Sequence, residues 1–131
     1  MALAGEFGLD LPFAFNRKEA KDHGEGGLIV GRPLAGRILI IDDVITAGTS
    51  VRESVEISQR EGAVPAGVVI ALDRQERGAD GRSAVAEVRE RFGIPVVSIL
   101  TLGHLITFLQ GQADGGERLE RLRSYRADYG V

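Results

Sequence analysis

The chain contains no cysteine and no tryptophan, and only two of its 131 residues, Lys18 and Lys21, are lysine. Without cysteine there is no disulfide, no thiolate metal ligand and no thiol nucleophile, so histidine, aspartate and glutamate are the side-chain metal ligands that remain. That usage fits a reducing compartment, and a cytoplasmic site is the expectation. The opening stretch Met1-Ala2-Leu3-Ala4-Gly5-Glu6 has no basic segment and carries an acid, which does not read as a secretory signal. No apolar run approaches the roughly 18 residues that cross a bilayer, so no membrane partner is expected. A dominant sign of charge is missing too: 16 basic residues face 19 acidic ones, a net charge of -3. A nucleic-acid surface is disfavoured by that balance.

What is present is an ordinary globular composition, 44% hydrophobic and 27% charged. The length predicts one core domain over residues 1–131. Fourteen of the 16 basic residues are arginine, which makes the two lysines, three positions apart, stand out as places where an ammonium is needed. Glycine, at 18 residues, is about twice its average share. Many turns, or backbone lying close to a ligand, would explain it.

Short apolar runs alternate with helical patterns, the signature of an α/β fold with a parallel sheet. The runs are residues 11–16, 37–41, 67–72 and 95–100, with a short one at 28–30. Ile38-Leu39-Ile40-Ile41 is apolar at every position and predicts a central strand covered by helices on both faces. Between Ser50 and Arg60, Arg52, Glu53, Glu56, Gln59 and Arg60 define a polar helix face and Val51 and Val55 an apolar one, with Gly62 as the stop. Val85, Val88 and Phe92 mark a second helix ended by Gly93. Leu102, Leu105, Ile106 and Leu109 mark a third ended by Gly111. Asp114 and Glu117 suggest a capping box for a last helix carrying Leu119 and Leu122. The stretch Arg17-Lys18-Glu19-Ala20-Lys21-Asp22-His23-Gly24-Glu25-Gly26-Gly27 is charged, histidine or glycine at every position but Ala20. Nothing in it can anchor a core, so a mobile loop is expected.

The strongest chemical signal follows the apolar run at 38–41: Asp42-Asp43-Val44-Ile45-Thr46-Ala47-Gly48-Thr49-Ser50. A buried strand ends in two carboxylates, and a loop of small residues opens a helix. Helix-start N–H groups with the hydroxyls of Thr46, Thr49 and Ser50 form an anion cradle, and Gly48 lets the main chain approach a phosphate. Asp42 and Asp43 can accept hydrogen bonds from vicinal hydroxyls and hold a hydrated Mg2+ through water. The pattern suits a phosphorylated sugar. A nucleotide-hydrolase P-loop is excluded, because no G-x-x-x-x-G-K-[ST] occurs in the chain.

Residues 38–50 resemble the phosphoribosyl pyrophosphate (PRPP) motif of type I phosphoribosyltransferases. The stretch R-K-E-A-K-D-H-G-E-G-G resembles the catalytic loop of orotate phosphoribosyltransferase, and Leu72-Asp73-Arg74-Gln75-Glu76-Arg77-Gly78 resembles that family's base-recognition segment. The resemblance covers about residues 9–131. It implies the parallel-sheet, Rossmann-like type I fold, with PRPP and orotate as substrates, orotidine 5'-monophosphate and pyrophosphate as products, and Mg2+ as cofactor. Arg17, Lys18, Lys21 and His23 match the loop residues for the pyrophosphate moiety, Lys21 foremost, with Gly24, Gly26 and Gly27 as hinges. Residues Asp42 to Ser50 match the PRPP cradle, and Thr46 and Arg74 match the contacts to the base. A homodimer in which this loop reaches the other subunit is implied as well. Asp73 and Arg77 read as structural, His104 as solvent-facing, and Phe13, Phe15, Phe92 and Phe108 as core or interface.

The family's chain is longer at its amino end, so the resemblance also implies an N-terminally truncated fold. The missing part would supply a hood over orotate, a first βα unit of the sheet and a short loop whose lysine grips pyrophosphate. A fragment of a normal enzyme is the favoured explanation. The expected consequence is a sheet with an unpaired edge and an exposed apolar face. The alternative function is a non-catalytic PRPP-sensing regulator or inactive fragment of the same fold, against which the intact charged stretch and the near-neutral charge weigh.

Overall fold

A computed structural model describes residues 2–21, 27–46, 48–78, 81–112 and 115–131. In chain order the elements are α1 (Ala2–Phe7), β1 (Ala14–Lys21), β2 (Gly27–Gly31), β3 (Arg37–Val44), α2 (Thr49–Arg60), β4 (Val64–Asp73), α3 (Ala84–Phe92), β5 (Val96–Thr101), α4 (Leu102–Gln110) and α5 (Gly116–Tyr129). β1 and β2 form an antiparallel hairpin, and β3, β4 and β5 form a parallel sheet in that order. The expected α/β class with a parallel sheet is what the chain adopts.

Each strand of the parallel sheet contributes to one apolar row, since Ile40 pairs with Val68 and Val68 with Val96. Side chains alternate along a strand, and on this face the row meets Val51 and Val55 of α2 and Ala84, Val85 and Val88 of α3, with Ile45 and Ile70 completing the cluster. Val51 and Val55 are one helical turn apart, which is why both reach the sheet while Glu53 and Glu56 stay exposed. α3 begins where Ser83 Oγ accepts the N–H of Ala86 at 3.3 Å and stops at Gly93, φ 63°. α4 opens with a reciprocal cap: Thr101 Oγ1 accepts the His104 N–H at 3.1 Å, and His104 Nδ1 accepts the Thr101 N–H at 3.3 Å.

Several expectations are corrected. β3 is the edge of the parallel sheet among the described residues and β4 is its centre. Ile40 is 7% exposed, but Leu39 and Ile41, which point the other way, are 57% and 76% exposed. An apolar side chain shows that a face could be buried; only the packing of helices decides whether it is, and α2 and α3 both lie on the Ile40 side. Val97 and Ile99 of β5 share the open face with Ile41, whose row runs through Val69 to Val97. The expected unpaired edge and exposed apolar face are therefore present.

Part of the charged stretch is strand: residues 17–21 belong to β1, Lys21 pairs with Gly27 at the start of β2, and the register is irregular between Asn16 and Lys21. His23, Gly24 and Gly26 lie outside the described residues. The strand starts at Ala14 and leaves Leu11 and Phe13 exposed ahead of it, so only the later part of the run at 11–16 is extended pairing. The run at 28–30 does form β2. α5 starts at Gly116 behind Gly115, which supplies no side-chain cap; Asp114 of the expected capping box lies outside the described residues. Phe92 packs on the core, whereas Phe13, Phe15 and Phe108 are exposed.

Candidate functional site

Parallel strands deliver their following loops to one edge of the sheet, and the register sets which ones are neighbours. Val44 pairs with Leu72 and Leu72 with Leu100, so β3, β4 and β5 end side by side. Ligands of open α/β sheets bind at such carboxyl ends. Two of the three sequence motifs meet there: the acidic strand end with its loop after β3, and the Asp73-Arg74 segment after β4.

Asp42 and Asp43 leave β3 toward opposite faces, as consecutive strand residues must. Asp42 points to the helix-covered side, where its Oδ2 accepts the Ser50 hydroxyl at 2.6 Å and its Oδ1 accepts the Asp43 N–H at 2.9 Å. Asp43 Oδ1 accepts the Val44 N–H at 2.7 Å. Ile45, 4% exposed, pins the loop to the core, and Thr46 is exposed beyond it; Ala47 lies outside the described residues. Gly48 then takes the left-handed conformation, φ 65° and ψ 12°, as the residue before α2. A Cβ there would stand 3.0 Å from Val88 Cγ2, so both the dihedral and the space select glycine. No side chain caps the first turn of α2. Its N–H groups carry the positive end of the helix dipole toward this loop, with Thr49 and Ser50 exposed beside them.

The arrangement can hold an anion at the start of α2 and polyol hydroxyls at the carboxylates. It also suits a hydrated divalent cation. Among the described residues no group of three or more His, Cys, Asp or Glu converges.

After β4, Asp73 Oδ1 accepts the N–H of Gln75 at 2.8 Å, an Asx turn that bends the chain at Arg74. The Arg74 guanidinium is half-buried and pairs through Nη2 with Glu76 Oε2 at 3.0 Å. Its Nε is buried with no acceptor among the described residues. Gln75 carries φ 54°, alone among the non-glycine residues described; such backbone costs on the order of 1–3 kcal/mol and persists only where neighbours over-determine it. The segment is also stitched to the end of α5 and the residue after it. Arg77 N–H donates to the Tyr129 carbonyl at 2.9 Å, and Arg77 Nε donates to the Gly130 carbonyl at 2.7 Å. Asp73 and Arg77 both make contacts that hold the backbone of this segment, and His104 is exposed as expected while also capping α4.

Sequence reasoning missed Gln75 and Glu76. The Asp73-x-Gln75 spacing of an Asx turn was the local signal; the bonds to Gly103 and Val131 had none. Of the loop candidates, Arg17 is half-buried on β1 and makes no side-chain hydrogen bond or ion pair among the described residues. Lys18 and Lys21 lie on the same strand, and His23 is outside the described residues. The described part of the third motif is therefore on the hairpin.

No protein-family model matches the chain. An orotate phosphoribosyltransferase of Cellvibrio japonicus is 59% identical over 131 residues, all of this chain and 61% of that protein. One of Thiobacillus denitrificans is 60% identical over the same span and share. Among solved structures, the 1.9 Å crystal structure of orotate phosphoribosyltransferase from Francisella tularensis matches with a TM-score of 0.78 and 33% identity, covering 99% of this chain and 61% of that one. The chain thus spans about three-fifths of the length of the relatives it matches. Over all of that span it is similar in sequence and in its type I α/β fold to orotate phosphoribosyltransferases.

Proposed function

We infer that this chain carries the PRPP cradle and base-recognition parts of an enzyme that transfers the phosphoribosyl group of PRPP to N1 of orotate. The products are orotidine 5'-monophosphate and pyrophosphate, in pyrimidine biosynthesis. The observation that supports this most is the left-handed Gly48 between the two strand-end carboxylates and the uncapped start of α2. It allows a phosphate to sit against backbone N–H groups a few residues from carboxylates that take ribose hydroxyls. The 60% identity to orotate phosphoribosyltransferases supports the choice of base.

In the reaction, the bond from C1 of the ribose to pyrophosphate breaks with its electron pair leaving on the pyrophosphate, and N1 of orotate forms the new bond to C1. The sugar becomes oxocarbenium-like, and negative charge grows on the leaving group. Asp42 and Asp43 hold the ribose hydroxyls, the α2 start with Thr46, Thr49 and Ser50 holds the 5'-phosphate, and Arg74 presents a planar fork to the anionic base. The Ser50 hydroxyl now donates a hydrogen bond to Asp42 Oδ2. On binding, that hydroxyl turns to the phosphate and releases Asp42 Oδ2 for a ribose hydroxyl. Lys21, with Lys18, Arg17 and His23, neutralises the departing pyrophosphate as the hairpin closes and excludes water. Mg2+, held through water by Asp42 and Asp43, supplies charge neutralisation for the pyrophosphate when bound. We assign residues 1–131 to one core domain, the segment Arg17 to Gly27 to the site of a second subunit, and the protein, which lacks cysteine, to the cytoplasm.

The test is orotate consumption, followed by absorbance with PRPP and Mg2+, for this chain and for the chain joined to the amino-terminal part of a relative. PRPP binding is measured in parallel by calorimetry. Turnover in the joined form supports the reading. PRPP binding with no turnover in either form would shift it to a ligand sensor, and no PRPP binding would remove the cradle.

A further inference from the structure

Three hydrogen bonds fix the backbone at Gln75, the residue after Arg74. Its N–H donates to Asp73 Oδ1 at 2.8 Å, its Oε1 accepts the Gly103 N–H at 2.9 Å in the first turn of α4, and its carbonyl accepts the Val131 N–H at 3.0 Å. These partners come from β4, α4 and the residue that follows the α5 segment, three separate parts of the chain. They hold a left-handed glutamine that the isolated chain would seldom adopt. Gly103 leaves room for the contact: a Cβ there would already be 3.2 Å from Gln75 Oε1.

The turn decides where Arg74 points. Among the described residues the guanidinium has one acceptor, Glu76, with the two side chains 31% and 16% exposed. A single ion pair on a long side chain leaves a planar group free to swing, so its direction depends on the backbone that carries both partners. Glu76 in turn lies where it does because its carbonyl accepts the Ala84 N–H at 3.1 Å and because the turn at Gln75 brings it back toward Arg74.

We propose that Gln75 is a positioning residue for base recognition: its side-chain bond to the start of α4 locks the left-handed turn that presents the Arg74 guanidinium, braced by Glu76, to a planar anionic base. The inference rests on the reading of Arg74 as the partner of orotate. It assigns Gln75 no contact with substrate.

Three variants of this chain separate the possibilities, with orotate and PRPP plus Mg2+ titrated separately. Gln75→Asn tolerates the left-handed backbone but is too short to reach the Gly103 N–H, whereas Gln75→Glu keeps the acceptor. Loss of one hydrogen bond predicts orotate binding about five- to tenfold weaker in Gln75→Asn, PRPP binding within about twofold of the parent, and recovery in Gln75→Glu. Orotate binding unchanged in Gln75→Asn, or both ligands weakened equally, overturns the proposal. Arg74→Ala tests the underlying reading by itself: unchanged orotate binding there removes Arg74 from the base site whatever the glutamine variants do. Should the parent bind orotate too weakly to titrate, hydrogen exchange at the Arg74 Nε–H decides. It is buried, and its exchange is expected about tenfold faster in Gln75→Asn and restored in Gln75→Glu; equal rates in all three overturn the proposal.

Discussion

At Gly48 a methyl group would meet Val88 Cγ2 and force an L residue into φ 65°. Gly48→Ala is therefore expected to cost about 1–2 kcal/mol of stability and to displace the start of α2, weakening PRPP binding as well. Urea unfolding and calorimetry read the two losses separately; an unchanged midpoint would show that the loop absorbs the methyl. Ser50→Ala removes a phosphate donor but also frees Asp42 Oδ2. About a fivefold loss for PRPP and a smaller one for phosphate-free ribose are expected, and equal losses would refute the hydrogen-bond exchange proposed at Ser50. These residues could be nominated from sequence because the proposed cradle spans nine consecutive positions, Asp42 to Ser50, so order along the chain already brings them together. Gln75 could not. Its side-chain partner is 28 positions away, and no local pattern announces a bond that only the tertiary fold creates.

Single elements were readable wherever their period was set by one buried face. α2 and α3 follow their apolar spacing because Val51, Val55, Val85 and Val88 all reach the same core. Val51 is fully buried at the first turn of α2, so Val51→Ala is expected to cost about 2–3 kcal/mol and to loosen the anion cradle along with the core. A stability loss without any change in PRPP affinity would separate the helix start from the site. β1 was harder to read, since Arg17, Lys18 and Glu19 lie in the irregular middle of the strand and their polarity suggested a loop. If Lys21 does stabilise the departing pyrophosphate, Lys21→Ala should lower turnover in the joined form far more than it lowers PRPP binding. Equal losses would assign it to ground-state binding alone.

For the whole molecule the open side of the sheet governs behaviour. Leu39, Ile41, Val97 and Ile99 face away from α2 and α3 with 57%, 76%, 58% and 69% of their surface exposed, and β3 has a free edge among the described residues. Such a surface favours association. Sedimentation velocity is expected to show self-association rising with concentration, reduced in Ile41→Lys combined with Val97→Lys. A parent chain that stays monomeric throughout would contradict this. The sequence revealed the apolarity of these positions but not their exposure, because burial belongs to the partner of a face and not to the face.

The stitching of residues 75–77 to residues 129–131 sets an order of events in time. Arg77 waits for Gly130, 53 positions later in the chain, whereas Asp42 and Ser50 are only eight positions apart. During synthesis, which proceeds at about 5–20 residues per second, the proposed anion cradle can assemble seconds before the proposed base segment acquires its last partners. On the proposed reading, the nascent chain therefore passes through an interval in which it can hold an anion before it can choose a base.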